Sequence, residues 1–278
     1  MKDYYANSRV LVFWSKLLER CRGFLKNRSQ RVVLGDFESE WVDVVSGVPQ
    51  GSVLGPLLFV AYINDITNKI RSMCKLFADD TKPLRVIKTE TDQFELQQDI
   101  NLLVEWSNEW LIKFNHQKCK IMTISKNEQH YKFTMDGVEL LHTSMEKNLG
   151  VLISNDLEWS NHVNSAVNKA NQKLGQIKHS FQYLDEKMLK LLFVSLVRPH
   201  LEYTALVWNP HWQYDKDKLE KVQQRATRVE SLRGYSYEGR LKKLDLLSLE
   251  NRIRRGDLIQ MFKYFKGFDK IHFYYKLF

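Results

Sequence analysis

The sequence predicts an α+β fold in which a part of mixed helices and strands is followed by an all-helical part. Strand-like segments separated by Gly and Asp turns occur up to about residue 156, and beyond it apolar residues recur every three or four positions. The charge changes along the chain as well, with 20 Lys and Arg against 21 Asp and Glu in residues 1–164, and 22 against 12 in residues 165–278. Since 44% of the residues are hydrophobic and 27% charged, the chain belongs to the globular class.

The amino-terminal 66 residues predict a helix, a hairpin and a second helix. In the first 30 residues a helical period places these side chains inward: Val12, Leu17, Leu18, Phe24 and Leu25. β-Branched residues on both sides of Gly35-Asp36 predict a hairpin over residues 31–45. A Gly and Pro loop at residues 47–51 then precedes an apolar, helix-compatible run over residues 53–66.

Residues 73–153 predict strands and one long helix. We expect strands at 73–77 and 84–87 around the turn Ala78-Asp79-Asp80-Thr81, and a strand at 120–125. A hairpin over 131–141 with its turn at Asp136-Gly137 follows, and then, within residues 147–153, a last short strand entered by a turn. The helix has an apolar stripe and a polar face. The stripe consists of Leu96, Ile100, Leu103, Trp110 and Phe114, and the polar face of Gln97, Asp99, Asn101, Glu105 and Glu109.

The carboxy-terminal part predicts a bundle of helices. One helix begins at Ser160 and has an apolar seam formed by Val163, Val167, Ala170, Leu174, Ile177 and Phe181. We expect further helices over residues 186–197, ending near Arg198-Pro199, and over residues 215–229, 237–244 and 249–265. The aromatic residues Tyr203, Trp208, Trp212 and Tyr214 are candidates for stacking on bases or for core positions.

Two adjacent carboxylates, Asp79 and Asp80, end the apolar run Lys75-Leu76-Phe77-Ala78. Mg²⁺ prefers oxygen ligands and is usually held by one or two protein carboxylates with water and phosphate oxygens. The pair is therefore a candidate metal site of a nucleotidyl-transfer enzyme, and the alternative is a solvated turn. The loop at residues 47–51 is likewise either a nucleotide-binding loop or a simple strand-to-helix connection.

The segments Ser46-Gly47-Val48-Pro49-Gln50-Gly51 to Phe59, Tyr62-Ile63-Asn64-Asp65-Ile66 and Phe77-Ala78-Asp79-Asp80 resemble the reverse transcriptases of non-LTR retrotransposons, LINE-like elements of the jockey type. The resemblance extends from about residue 24 to residue 257. It implies a partial right-hand polymerase palm, an antiparallel sheet with helices, followed by an all-helical thumb and carboxy-terminal region. The implied domains are a remnant of the connection between fingers and palm at 1–30, the palm at 31–155, and the thumb with a carboxy-terminal bundle at 156–278.

The resemblance also implies roles for particular residues. Asp79 and Asp80 would be the catalytic metal ligands. The positions that would contact the incoming nucleotide or template are Pro49, Gln50, Gly51 and Lys118, and those of the primer grip are Leu149, Gly150 and Val151. The helix predicted over residues 215–229 contains basic residues that would contact the nucleic-acid backbone, and the alternative is that they form a solvated surface. They are Lys216, Lys218, Lys221, Arg225 and Arg228.

One expected motif is missing from the sequence. Members of the family have an earlier Ala-Phe-Asp strand whose aspartate bridges both metal ions, and no segment here matches it. We therefore expect an amino-terminally truncated enzyme that binds Mg²⁺ or Mn²⁺ without full coordination and is inactive alone. The alternatives are a catalytically silent remnant that binds nucleic acid and an interaction scaffold.

The expected partners are an RNA template, a DNA primer and deoxynucleoside triphosphates, with no membrane. The three cysteines, Cys21, Cys74 and Cys119, are odd in number and far apart, which argues against a disulfide framework. With no apolar run of about 18 residues and no secretion signal, we expect an intracellular protein of the nucleus or cytoplasm. The sequence predicts no oligomeric state.

Overall fold

A computed structural model of the protein describes residues 15–125, 131–181 and 183–269. The α-helices are α1 Ser15–Leu25, α2 Leu54–Ile63, α3 Glu90–Trp110, α4 Ser160–Ser180, α5 Glu186–Leu192, α6 Arg198–Glu202, α7 Ala205–Trp208, α8 Gln213–Ala226, α9 Tyr237–Leu244 and α10 Leu249–Phe265. The strands are β1 Arg28–Gln30, β2 Val33–Leu34, β3 Phe37–Glu38, β4 Val42–Val44, β5 Met73–Phe77, β6 Asp80–Leu84, β7 Lys120–Ile121, β8 Thr134–Met135, β9 Val138–Glu139, β10 Leu141–His142, β11 Met145–Asn148 and β12 Val151–Ser154.

The chain divides into two units. Unit 1 comprises Met1–His116 and Phe133–Glu139, and unit 2 comprises Gln117–Lys132 and Leu140–Phe278. In the described residues the strands form two-stranded pairs, of which all but the parallel pair β7 and β10 are antiparallel. Mixed helices and small antiparallel sheets are therefore confirmed, whereas the assignment of palm and thumb and the domain limits stay predictions.

Unit 1 begins with α1 and the expected hairpin. The strands β2 and β3 pair around Gly35, whose φ of +59° suits a tight turn, and β1 and β4 extend the same hairpin. Leu17 is exposed, contrary to the prediction, whereas Leu18, Phe24 and Leu25 are half-buried. Val12 lies outside the described residues.

The core of unit 1 forms between α2, the turn after it and α3. Ile63 and Ile66 pack against Leu103 and Trp106 of α3, and the indole N–H of Trp106 donates to Asp65 at 3.0 Å. The core thus ties the apolar run after the glycine loop to the long helix, as the periodicity of α3 predicts. Phe114 packs on this cluster too, although α3 ends at Trp110.

One member of the expected polar face of α3 is wrongly placed. Asp99 is 1% exposed, and its carboxylate accepts the backbone N–H groups of Arg71 and Ser72, both at 2.9 Å. A buried carboxylate is tolerated because these bonds replace its lost hydration. The hairpin of β8 and β9 docks on the same helix, with the Gln97 amide bonded to both backbone groups of Thr134.

Turn residues set two further hairpins. Asp136 and Gly137, with φ of +52° and +76°, connect β8 to β9 where a hairpin is predicted. In unit 2, Leu149 and Gly150, with φ of +47° and +89°, connect β11 to β12. The strand predicted after a turn within residues 147–153 is therefore confirmed as β12, whereas its partner strand β11 was not predicted. The predicted strand at 120–125 is shortened to β7.

The core of unit 2 is helical. The predicted seam of α4 is buried at Val163, Ala170, Leu174 and Ile177, whereas Phe181 lies beyond the helix and is 39% exposed. The helix begins at Ser160, as predicted, with Trp159 at the N-cap, and the Ser160 hydroxyl makes no capping hydrogen bond. Its hydroxyl instead donates to the buried carboxylate of Asp215 at 2.6 Å. The seam packs against Phe193, Leu201 and the carboxy-terminal helices through residues that include Leu219, Val222 and Leu249.

The second predicted helix does not end at Arg198-Pro199. A π-helical turn over Phe193–Val197 follows α5, and α6 continues the chain to Glu202. Proline is tolerated there because Pro199 lies in the first turn of α6, where its missing N–H costs little. The helix predicted over residues 215–229 is α8, which ends at Ala226, three residues before the predicted limit.

The last two helices match their predictions residue for residue. The hydroxyls of Ser236 and Ser248 each accept a backbone N–H three residues on, which fixes the first turns of α9 and α10. Among the described helices, none combines the length and the apolar character that a bilayer crossing requires.

Candidate functional site

The Asp-Asp segment forms the tip of the hairpin of β5 and β6. Five residue pairs join the strands, from Met73 with Leu84 to Phe77 with Asp80, and a two-residue turn of Ala78 and Asp79 connects them. The second strand thus begins at Asp80, four residues before the predicted start at Leu84. The turn closes so tightly because Ala78 adopts a φ of +50°, which composition does not reveal.

The tip presents two exposed carboxylates, as predicted from a hairpin position. The Asp80 side chain is 55% exposed, and its nearest described cation is the Lys82 ammonium at 3.8 Å. Hard carboxylate oxygens suit Mg²⁺, so the donor chemistry fits one or two ligands of such an ion. Among the described residues, no group of three or more His, Cys, Asp and Glu is placed to hold a metal. Two carboxylates alone would fill only part of the coordination shell of such an ion.

The base of this hairpin is anchored on α3. The two N–H groups bound by Asp99 belong to residues directly before β5, and the Arg85 guanidinium directly after β6 donates to the Ser72 hydroxyl at 3.3 Å. Arg85 also pairs with Glu95 and lies 3.7 Å from Asp92. Backbone and side-chain hydrogen bonds from Lys88 and Thr89 lower the pKa of Asp92, which caps α3. These contacts therefore fix the open end of the hairpin, opposite the tip that carries Asp79 and Asp80.

The loop of Pro49, Gln50 and Gly51 is closed by local contacts. The Ser52 hydroxyl donates to the Pro49 carbonyl at 2.7 Å and accepts the Gly55 N–H at 3.0 Å. A side chain at position 55 would lie 2.7 Å from that carbonyl oxygen, so this second helical position of α2 requires glycine. Gly51, with φ of +81°, turns the chain, and Gln50 is exposed.

Arg28 stabilises the start of the glycine loop through hydrogen bonds to backbone carbonyls. The Arg28 guanidinium donates to the carbonyls of Leu25, Ser46 and Gly47 at 2.9, 3.3 and 2.7 Å. It therefore joins α1, β1 and the start of the glycine loop. The glycine loop and the Asp-Asp hairpin both belong to unit 1.

The remaining predicted residues belong to unit 2. Lys118 is exposed in a turn at residues 116–118. Leu149 and Gly150 form the turn of the second hairpin, and Val151, the first residue of β12, is 5% exposed and part of the helical core. The Tyr203 hydroxyl donates to the Leu149 carbonyl at 3.1 Å. Of the four candidate aromatic residues, Trp208 is fully buried, so its stacking role is excluded, whereas Tyr203, Trp212 and Tyr214 are about half exposed.

The cationic residues of the α8 region divide into two groups. Lys216 lies 3.4 Å from Glu250, and Lys218 lies 3.1 Å from the buried Asp215. Lys221, Arg225 and Arg228 are exposed, and the described residues place no carboxylate within ion-pair distance of them. Only part of the predicted stripe is therefore free of internal charge pairing.

The neighbouring helix α4 adds polar groups to the same surface. Lys218 donates to Asn164 at 2.9 Å, Arg225 donates to Asn171 at 3.1 Å, and the Lys178 ammonium donates to the Arg225 carbonyl at 3.1 Å. Burial, together with the nearby Arg225 and Arg228, lowers the pKa of Lys178. The contribution of the two arginines to this shift reflects three cationic side chains lying close together on the surface. We call this surface the α4/α8 face, formed by Asn164, Asn171, Lys178, Lys218, Lys221, Arg225 and Arg228.

The sequence profile of one family, described as Reverse transcriptase (RNA-dependent DNA polymerase), matches residues 12–185. The matched span contains the glycine loop, the Asp-Asp hairpin and the turn at Leu149 and Gly150. The chain belongs to the reverse transcriptase family. The assignment of Asp79 and Asp80 to the metal centre of the family, which the sequence resemblance implies, stays a prediction.

Three relatives illustrate the match. The chain is 26% identical over 220 residues to a probable RNA-directed DNA polymerase from transposon X-element of Drosophila melanogaster, covering 75% of this chain and 24% of the relative. It is 23% identical to the RNA-directed DNA polymerase from mobile element jockey of the same species, covering 74% and 24%. The jockey polymerase of Drosophila funebris is 28% identical, covering 64% and 19%. The chain spans about a quarter of the length of the curated relatives it matches. No solved structure matches it significantly.

Sequence reasoning missed the residues that hold the site in place. Arg28, Ser52, Asp99 and Tyr203 act through hydrogen bonds to backbone groups of the motif segments. The spacing of Thr89 and Asp92 is a signal that reveals the start of α3, because both halves of a capping box are present. For Asp99 the sequence offers no comparable signal.

Proposed function

We propose that this chain is the part of an RNA-directed DNA polymerase of a non-LTR retrotransposon that contains the Asp-Asp metal ligands, the nucleotide loop and the nucleic-acid-binding helices. The reaction is nucleotidyl transfer from a deoxynucleoside triphosphate to a primer 3′ hydroxyl. Asp79 and Asp80 hold the metal, Mg²⁺ or Mn²⁺. Pro49, Gln50, Gly51 and Lys118 contact the nucleotide and template base.

The observation that supports this proposal best is the two-residue turn that exposes both carboxylates at the tip of a rooted hairpin, in a chain that belongs to the reverse transcriptase family. In phosphoryl transfer the protein contributes positioning and charge stabilisation more than covalent chemistry. A hairpin fixed at its base by Asp99 and Arg85 suits that role, because it holds the tip carboxylates in one place. Mg²⁺ bound there would stabilise negative charge on the reacting phosphate oxygens.

Unit 2 contributes the contacts to primer and template. The turn at Leu149, Gly150 and Val151 holds the primer end, and the α4/α8 face contacts the duplex backbone. Lysine and arginine bound to phosphates supply affinity without reading sequence. Asn171 of α4 holds Arg225 in place without neutralising it, whereas Lys218 is bonded to Asn164 and paired with Asp215.

By themselves these 278 residues bind primer and template but extend no primer. The two tip carboxylates lack the bridging aspartate of the family's Ala-Phe-Asp motif, which no segment of this sequence supplies. Two metal ions without a shared ligand lose the geometry on which in-line transfer depends. Catalysis by this chain therefore requires a third carboxylate from another segment.

Metal binding at the tip is testable by NMR with Mn²⁺, whose paramagnetism broadens nearby amide signals. We expect Mn²⁺ to broaden residues 77–82 selectively and the double variant Asp79→Asn/Asp80→Asn to lose this effect. Asp36→Asn is the matched control, because Asp36 is an exposed aspartate in the turn of another hairpin of unit 1. Broadening that persists in the double variant would disprove the metal-binding role of the pair.

Duplex binding is testable through its salt dependence. Lys221→Gln/Arg228→Gln removes two exposed charges of the α4/α8 face, and Lys187→Gln/Arg255→Gln removes two exposed charges elsewhere in unit 2. We expect the first pair to lower the slope of log affinity against log salt by about one for each phosphate that is no longer neutralised, and the control pair to leave it unchanged. Equal effects of both pairs would exclude a specific binding face for the duplex.

A further inference from the structure

Unit 2 contains a cavity of about 210 Å³ beside the turn that joins β11 to β12. Its lining includes Lys147, His162, Ser165, Lys169, His200 and Tyr203, and we call it the anion pocket. Since water occupies about 30 Å³ per molecule, a small polar ligand fits with several waters. Lys147 and Lys169 are exposed, so the pocket opens to solvent at its lysines.

The pocket has an excess of hydrogen-bond donors and positive charge. Its described lining contains two lysines, two histidines, a serine and a tyrosine, and no carboxylate. The acidic residues nearest in sequence are engaged elsewhere, Glu146 with Lys120 at 2.9 Å and Glu202 with Arg252 at 3.0 Å. The positive charge of Lys147 and Lys169 is therefore not neutralised within the pocket.

His162 is held in one orientation at the pocket wall. Its Nδ1 accepts the Leu152 N–H at 3.1 Å, and its ring packs edge-on against Trp208 with ring centroids 4.8 Å apart. Burial, and then the charge of Lys169, lowers the pKa of His162. A neutral imidazole that accepts at Nδ1 carries its proton on Nε2. His162 thus offers a fixed neutral N–H donor.

Tyr203 connects the pocket to the hairpin turn. Gly150 has a φ of +89°, and a Cβ atom there would lie 3.0 Å from the Tyr203 ring. The same ring carries the hydroxyl that bonds the Leu149 carbonyl. Tyr203 therefore fixes the position of the pocket wall relative to the turn, so a ligand in the pocket lies at a defined place beside the turn.

We propose that the anion pocket binds a phosphate group. Phosphate oxygens accept several charge-assisted hydrogen bonds at once, and the lysine ammonium groups, the imidazole N–H and the serine hydroxyl supply donors of that kind. The source is a backbone phosphate of the strand held at the Leu149 and Gly150 turn, an identification that rests on the proposed function. A free nucleotide or inorganic phosphate presents the same chemistry.

The test follows the histidine side-chain NMR signals of the whole chain during titration with three probes: inorganic phosphate, deoxyadenosine monophosphate and a single-stranded oligonucleotide of eight residues. We expect the oligonucleotide to shift His162 and His200 at concentrations at least tenfold below those needed for the other two probes. His142 of β10, whose ring nitrogen bonds the Tyr131 carbonyl at 2.7 Å, lies in neither the pocket lining nor the α4/α8 face, and it serves as an internal reference that stays unshifted.

The variant Lys147→Met/Lys169→Met is expected to weaken these shifts at least tenfold. The control variant Lys173→Met/Lys187→Met removes the same charge from exposed positions outside the pocket. We expect it to leave the His162 and His200 shifts unchanged. Equal affinity for all three probes would support the phosphate site and assign it to free phosphate compounds. No shift of His162 and His200 with any probe, or equal loss in both variants, would overturn the proposal. If no probe bound the pocket but duplex binding by the α4/α8 face kept its salt dependence, the phosphate site would be disproved and the proposed function would be unaffected.

Discussion

The carboxylate of Asp99 accepts the backbone N–H of Ser72, 27 residues earlier, at 2.9 Å. Its second oxygen accepts the N–H of Arg71 at the same distance. Ser72 and Asp99 are both buried, so water cannot replace these bonds. The relationship joins the middle of α3 to the start of β5, and so to the strand that leads to Asp79 and Asp80.

Asp99→Ala is expected to destabilise unit 1 by about 3 kcal/mol, because hydrogen bonds to a charged group contribute about 1.5–3 kcal/mol each and unpaired buried donors are costly. Urea unfolding followed by circular dichroism measures the change. Glu105→Ala, on the exposed side of the same helix, is the control and should change the stability by less than about 0.5 kcal/mol. Equal effects of the two substitutions would mean that Asp99 has no anchoring role.

Gly55→Ala is expected to distort the nucleotide loop. The new methyl group meets the Pro49 carbonyl oxygen at 2.7 Å and the Ser52 hydroxyl at 2.8 Å, so the turn must open or α2 must shift. We expect a loss of about 1–3 kcal/mol in the free energy of unfolding. Gly23→Ala in α1 meets nothing within 4 Å and should instead stabilise by up to about 1 kcal/mol. A neutral Gly55→Ala variant would argue against the closed loop.

Helices with local start signals were predictable from the sequence. The bounds of α9 and α10 follow from Ser236 and Ser248, whose capping bonds reach only three residues along the chain. The Asp136-Gly137 turn was predictable for the same reason, because both residues adopt positive φ readily. In each case the residues that determine the local structure lie within a few positions of one another in the sequence.

Features that depend on distant partners were not predictable. Asp99 has the spacing of a polar surface residue, and only the fold brings Arg71 and Ser72 to it. The strand β6 contains Lys82 and Pro83, which disfavour a strand in composition, yet the tight turn at Ala78 enforces pairing from Asp80 onward. Of the candidate site, the two carboxylates were predictable, whereas the contacts that hold their hairpin were not.

The stability of unit 2 is expected to fall below about pH 6.5 partly through His162. Burial lowers the pKa of His162 in the folded state, so the unfolded chain takes up the proton first as the pH falls. The contribution is therefore fully present above the unfolded pKa and is lost as the pH falls towards the folded pKa. Thermal unfolding at about pH 7.5 and pH 5.5 measures it.

His162→Gln is the informative variant for this effect, because an amide oxygen can still accept the Leu152 N–H but does not titrate. We expect a smaller loss of Tm between the two pH values in His162→Gln than in the wild-type chain. His179→Gln, at an exposed position of the same helix, should keep the wild-type loss. An unchanged pH response in His162→Gln would refute the assignment.

The most direct measurement is primer extension by the 278-residue chain on an RNA template, with a DNA primer, deoxynucleoside triphosphates and Mg²⁺, and with primer-template binding recorded in the same samples. We predict binding that weakens steeply between about 50 and 200 mM salt, and extension no greater than that of Asp79→Asn/Asp80→Asn. Extension that the double variant abolishes would show that these residues form a complete polymerase site. Absence of salt-sensitive binding would contradict the role of unit 2 in holding nucleic acid.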